Sequence, residues 1–202
     1  MATAIDFYFD FISPYSYLAH TQLPKIAAKH GYAIAYHPVD LNVLKTAGGN
    51  TGPASREQPL KFKYVYADFA RWSARYGVPM KRLGGYDPKC RLTRGTFYAR
   101  DHNQAGAYVT ATWKRIWGEG GSLADEALMR AVAREMGWKE DEFLAFMDSA
   151  DAEKRFKTET DAATARGVFG VPTMMLGEEL WWGNDRLDFL EEYLAAHAAA
   201  PA

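Results

Sequence analysis

The sequence predicts an α/β fold in which a strand–helix–strand opening and a strand–strand–helix close are separated by a long helical stretch. Three observations predict it. Apolar residues alternate at period two near the N-terminus and again near the C-terminal end. Between these regions the apolar spacing is helical. No repeat or low-complexity linker divides the chain.

The first strand is read from Ile5, Phe7, Phe9 and Phe11, with Asp6, Tyr8 and Asp10 between them. Ser13 then suits a helix N-cap and Pro14 its first residue. Leu18, Leu23, Ile26 and Ala27 give that helix an apolar face, and Gly31 stands where it should stop. Residues 32–41 read as a second strand, and 45–59 as a loop rich in Gly, Pro, Asn and Ser. Helical spacing returns with Phe62, Val65, Tyr66, Phe69, Trp72 and Ser73, ended by Gly77 and Pro79. "WGEGG" at 117–121 reads as a helix-ending turn. Ser122 is expected to cap a helix through Met136, and 141–149 and 153–166 to form two more. Residues 173–176 and 180–182, joined by Gly177-Glu178, read as a hairpin. Asn184 or Asp185 then caps a last helix carrying Leu187, Leu190, Tyr193 and Leu194. The order β-α-β, helices, β-β-α is that of a thioredoxin-like fold interrupted by a helical insertion. The expected parts are 1–42 with 167–202, thioredoxin-like, and 43–166, helical.

Composition narrows the function. The 202 residues are 48% hydrophobic, 14% aromatic and carry a formal net charge of -1. That balance supports a sizeable core and speaks against nucleic acid, which needs a surplus of Lys and Arg on one face. Cys90 is the only cysteine, so no internal disulfide can form, which fits a reducing compartment. The N-terminus has no charged region followed by an apolar one, and no apolar run approaches the ~20 residues that span a bilayer. A soluble, cytoplasmic protein with no membrane partner is expected. The five histidines show no metal spacing, and neither Gly-x-Ser-x-Gly nor a phosphate loop is present.

Three motifs carry candidate chemistry. Ser13-Pro14-Tyr15-Ser16 lies where thioredoxin-like proteins usually hold a Cys-x-x-Cys pair. It can be capping alone, or its hydroxyl can hydrogen-bond a thiolate brought by a ligand at the positive end of a helix. Dithiol–disulfide exchange is excluded at this site. "GVFGVPT" at 167–173 can be an ordinary turn, or Val171-Pro172 can be a cis bond whose Val171 N–H and C=O face an extended peptide. "WWGNDRLDFL" at 181–190 can be a helix cap, or can bind the charged end of a small peptide, with Asp185 suited to an α-ammonium. Cys90, between Lys89 and Arg91, is a candidate low-pKa thiol but is read as non-catalytic.

Phe9-Asp10-Phe11-x-Ser13-Pro14-Tyr15-Ser16-Tyr17-Leu18-Ala19, Phe169-Gly170-Val171-Pro172-Thr173 and Trp182-Gly183-Asn184-Asp185-Arg186-Leu187 together resemble the 2-hydroxychromene-2-carboxylate isomerase family. That family stands with the kappa-class glutathione transferases in the DsbA-like thioredoxin group. "GNTGPASRE", "RWSARYGVP" and "WGEG" extend the resemblance over nearly the whole chain. It implies a glutathione-dependent cis-trans isomerase in naphthalene breakdown, acting on an aromatic keto acid, with no metal and as a homodimer. Glutathione would be the cofactor, its thiolate held by Ser13. Val171 would pair with its cysteinyl unit, and Trp182, Gly183, Asn184 and Asp185 would complete its site. Lys45, Ser55, Arg56 and Tyr86 would surround the second substrate, Lys45 and Arg56 pairing with its carboxylate. Ser55 departs from the family's usual Asn. Two alternatives stay open: a general kappa-class transferase or peroxidase, and a non-catalytic thioredoxin-like module binding peptides along the Val171-Pro172 edge.

Overall fold

Strand β1 (Ala4–Phe9) forms where the alternation begins but ends at Phe9, so Phe11 falls in the turn that follows. β1 lies inside a four-stranded sheet of order β2-β1-β3-β4. β2 (Ala33–Pro38) runs parallel to it, with Ile5 opposite Ile34. β3 (Thr173–Leu176) runs antiparallel on its other side, with Phe7 opposite Met174, and β4 (Glu179–Trp182) closes that edge. The computed structural model describes residues 4–53 and 57–197.

Both faces of β1 are covered. On one, Ile5, Phe7 and Phe9 are fully buried, and the Phe9 ring packs 5.1 Å from that of Trp113. On the other, Tyr8 is buried among Val39, Leu44, Val171 and Met175. Helix α1 (Pro14–Lys29) starts as its sequence expects. Ser13 is extended, its Oγ accepts the Ser16 N–H at 3.2 Å, and Pro14 opens the first turn. Leu18 and Leu23 of α1 join the core with β1.

Among the described residues, seven α-helices then run between β2 and β3: α2 (Leu41–Ala47), α3 (Pro59–Tyr76), α4 (Arg91–Asp101), α5 (Ala105–Trp113), α6 (Glu126–Glu135), α7 (Glu140–Met147) and α8 (Ala150–Ala165). Three expectations need correction. The stretch 45–59 is not wholly loop, because Asp40 accepts the N–H groups of Asn42 and Val43 and starts α2 ahead of it. α6 is capped by Asp125, while Ser122 accepts the Ala124 N–H one turn earlier. Asn184 and Asp185 do not cap α9 (Leu187–Ala196); they lie in a 3₁₀ turn, Asn184–Arg186, and no side chain caps the helix. α5 continues into a π turn, Lys114–Gly118, which takes in the first two residues of "WGEGG".

The helices and the sheet share a core. Phe11, Leu18, Tyr108, Trp113 and Phe143 belong to one buried cluster. A direct bond crosses from helices to sheet: the Trp117 indole N–H donates to the Phe11 carbonyl at 2.9 Å. No helix among the described residues is long and apolar enough to cross a membrane.

Gly95 of α4 is where the helices approach most tightly. A Cβ there would lie 2.5 Å from Tyr108 Oη and 2.8 Å from the Phe143 ring, both fully buried. Helix propensity alone would make Gly95→Ala stabilising by ~1 kcal/mol. Overpacking is expected to win and to lower stability by ~1–3 kcal/mol in denaturant melts.

Candidate active site

The turn from Asp10 to Ser13 connects the central strand to α1, and its backbone is fixed from several sides. Ser13 N–H donates to the Asp10 carbonyl at 3.0 Å. The Asp10 carboxylate accepts three hydrogen bonds: Ile12 N–H (3.2 Å) and Thr93 Oγ1 (3.1 Å) on Oδ1, and Leu41 N–H (3.3 Å) on Oδ2. Asp10 is 3% exposed, and burial pushes its carboxyl up to about 6 against the pull of those bonds. Its protonated form therefore favours the fold. The contribution of this group to stability is full below its ordinary range and falls as the pH rises to about 6.

Ser13 is nearly buried at the N-terminus of α1. Its Oγ uses an acceptor position on Ser16, which leaves its own O–H to donate, and none of the described residues accepts it. Pro14 has no N–H, and Tyr17 N–H bonds the Ser13 carbonyl at 3.2 Å. The N–H of Tyr15 has no partner among the described residues. The helix end thus holds one O–H and one N–H for an anion.

Beside this end lies a cleft of about 470 Å³, within the range of small-molecule sites. Its walls come from four places: Tyr15 of α1, Tyr64, Asp68 and Trp72 of α3, Val171-Pro172, and the segment Trp182 to Arg186. The Val171-Pro172 bond is cis, as expected. The N–H and C=O of Val171 have no hydrogen-bond partner among the described residues, whereas the Pro172 carbonyl accepts the Gly183 N–H at 2.9 Å. Gly183 adopts φ 111°, a region that favours glycine, and the Asp185 carboxylate occupies the space a Cβ would need. Asn184 is 3% exposed and its Nδ2 has no partner among the described residues, while its carbonyl accepts the Tyr76 hydroxyl at 3.2 Å. Trp182 is half-exposed, with its ring 4.9 Å from that of Phe169. Tyr15 donates to Asp68 at 3.1 Å, and burial together with that carboxylate raises the phenol, so it stays protonated.

Val171, Trp182, Gly183, Asn184 and Asp185 therefore share one cleft, and Ser13 caps the helix that opens onto it without itself lining the wall. Lys45 and Tyr86 lie elsewhere. Lys45 is half-buried on α2, and Tyr86 packs in a recess with Asp10, Cys90 and Thr93. The end of α2 meets the cleft wall indirectly: a Cβ on Gly48 would lie 2.7 Å from that of Phe169, which packs on Trp182. Ser55 and Arg56 lie outside the described residues.

The sequence reading missed Asp10, Tyr15, Tyr64, Asp68 and Trp72. The last three fall at i, i+4 and i+8 on one face of α3, a signal that was present in the spacing.

The DSBA-like thioredoxin domain model matches residues 4–195. The 2-hydroxychromene-2-carboxylate isomerase of Pseudomonas putida is 43% identical over 93% of this chain and 92% of its own length. A solved 2-hydroxychromene-2-carboxylate isomerase superposes with a TM-score of 0.91 at 42% identity, covering 96% of this chain and 95% of that one. Glutathione S-transferase kappa 2 of Caenorhabditis elegans is more distant, 24% identical over 98% of this chain and 94% of its own length.

Cys90 is not the low-pKa thiol its basic neighbours suggested. Burial, and then the carboxylates of Asp10, Asp40 and Asp87, push its thiol up, with Arg94 opposing them only weakly. Alkylation of Cys90 by iodoacetamide at mildly alkaline pH is expected to be at least about tenfold slower than that of free cysteine, and to reach that rate in denaturant.

Proposed function

The chain belongs to the DsbA-like thioredoxin family and, within it, to the 2-hydroxychromene-2-carboxylate isomerases, and from that premise we propose that it interconverts 2-hydroxychromene-2-carboxylate and trans-o-hydroxybenzylidenepyruvate with glutathione as cofactor. One observation carries the reading. A cleft beside the free Val171 backbone ends at a helix N-terminus that presents a serine O–H where related folds keep a thiol.

The residues present suit a thiol-bearing tripeptide. Val171 offers an N–H and a C=O in the geometry of a strand edge. The unpartnered Nδ2 of Asn184 is a donor for a carboxylate, and Asp185 is an acceptor for an α-ammonium. The half-exposed Trp182 indole gives the backbone of such a ligand an apolar wall.

Bound glutathione supplies the thiolate that adds reversibly to the conjugated double bond and so lets that bond rotate. The protein's part is to hold and tune. Ser13 donates its O–H to the sulfur, and the Tyr15 N–H with the α1 dipole favours the anionic form. Because Tyr15 is kept protonated by Asp68, it adds no competing negative charge beside the sulfur. Lys45 pairs with the carboxylate of the keto acid, and the Tyr86 hydroxyl contacts its ring or phenol. Arg56 and Ser55 belong to the same substrate site. In this reading the thioredoxin-like part (1–42 and 167–202) serves the thiol and the helical part (43–166) selects the aromatic substrate. The reading extends to a cytoplasmic homodimer in aromatic hydrocarbon catabolism.

Ser13→Ala tests the assignment. Loss of a preorganised donor to a developing or resting anion is expected to lower kcat about 10²-fold. Loss of the cap is expected to cost ~1 kcal/mol of stability, so the fold survives. Wild-type turnover in the variant, measured by the absorbance change of the ring opening, contradicts the role given to Ser13.

A further inference from the structure

The reading above uses Ser13 on one side and α2 on the other, and a single buried side chain joins them. We propose that Asp10 is a positioning residue for the isomerase reaction, its ionised carboxylate holding the start of α2, and with it the Lys45 and Tyr86 side of the site, against the turn that carries Ser13. The proposal rests on the isomerase reading.

α2 has seven residues, too few to hold a helix by itself, so its placement depends on anchors. Its first N–H, that of Leu41, is one of the donors every helix start leaves open, and Asp10 Oδ2 takes it. Asp40 takes the next two, and the Asp40 N–H is tied to Thr160 of α8 at 3.0 Å. Of these anchors, only Asp10 also bonds the 10–13 turn, through Ile12, and α4, through Thr93. Every residue proposed for the substrate side among the described residues hangs on this junction. Lys45 is on α2, and Tyr86 lines the same recess as Asp10, Thr93 and Cys90.

Stability does not explain the choice of a carboxylate. Burial disfavours its charge, and no cation bonds it among the described residues. The groups that face it are Asp40 from the start of α2, Asp87 and Tyr86 from the segment before α4, and Cys90 and Arg94 of α4, with Arg91 engaged by Asp87 at 2.9 Å. The surroundings are thus mainly acidic. A neutral amide would remove the charge and keep two of the three bonds on Oδ1. It would, however, turn an N–H toward the Leu41 N–H. The ionised carboxylate accepts from all three donors at full strength, whereas a protonated one keeps only weaker acceptor capacity on its hydroxyl oxygen.

This gives Asp10→Asn a defined effect. The amide keeps Ile12 and Thr93 on its oxygen and releases α2, so the variant is expected to fold. Protonation of wild-type Asp10 at Oδ2, which has a single donor, acts in the same direction, because a hydroxyl oxygen accepts the Leu41 N–H less strongly than a carboxylate oxygen does.

The experiment combines kinetics with hydrogen exchange, on wild type and Asp10→Asn, from about pH 5 to about pH 8. At neutral pH the variant is expected to show KM for the chromene acid raised about five- to tenfold, with kcat changed less than about threefold. Its Kd for glutathione, by calorimetry, is expected to stay within about twofold of wild type, since the cleft residues are not bonded to Asp10. The wild-type KM is expected to rise toward the variant's value as the pH falls through about 6, and the variant's KM to be flat there. The amides of α2 are expected to exchange faster in the variant, and in wild type at low pH after correction for intrinsic rates. An unchanged KM, a KM that keeps its acid limb in the variant, or unchanged exchange of α2 overturns the proposal. Absence of glutathione-dependent turnover in wild type overturns the isomerase reading instead, and exchange then still decides whether Asp10 holds α2.

Discussion

The constraint on which the site depends is the turn between the central strand and α1. β1 is hydrogen-bonded on both sides and packed on both faces, so the chain leaves it at a fixed point and in a fixed direction. Asp10, Phe11 and Ser13 then anchor the turn to α2, the π turn and α1 respectively. A helix N-terminus held this way is a preorganised anion site, because its donors cannot move to meet other partners. The same stiffness explains how one side chain, Ser13, can serve as both cap and donor. Its acceptor lone pair is used by Ser16, and its proton remains for a ligand.

Around that fixed point the chain separates two tasks. The wall formed by Val171, Pro172 and the Trp182 to Arg186 segment offers backbone groups, an amide and a carboxylate, the chemistry of peptide recognition. In the proposed reading, Lys45 of α2 and Tyr86 of the segment before α4 supply a cation and a phenol, the chemistry of an aromatic acid. Phe169 joins the two, packed on Trp182 on one side and on the end of α2 on the other. In the proposed reading a borrowed thiol meets its target without any cysteine of the chain taking part, and the one cysteine present is held in its protonated form.

What was legible in the sequence was what is local. The Ser13-Pro14 start, the β3–β4 hairpin and the Val171-Pro172 turn all follow from neighbouring residues, and all stand as expected. The alternation of β1 gave its position but not its end, because Phe11 is buried by the helical part rather than by sheet pairing. α2 was hidden because seven residues carry little periodicity and the helix is held by Asp40, Asp10 and Thr160. The helix α3 was legible from its spacing, but not that its Tyr64, Asp68 and Trp72 line the cleft, because helical spacing reports that a face exists, not whether core, ligand or solvent covers it. Asp10 looked like the polar half of an alternating strand. Its bond to Thr93 spans 83 residues, and no local pattern records such a pair.

The central claim is that catalysis uses a thiol the protein does not own. The most direct measurement is the wild-type rate of isomerisation of 2-hydroxychromene-2-carboxylate in protein freed of small thiols, followed as glutathione is added back. The account requires negligible turnover without glutathione, saturable recovery with it, and no net consumption of the thiol. A full rate in the absence of glutathione contradicts it.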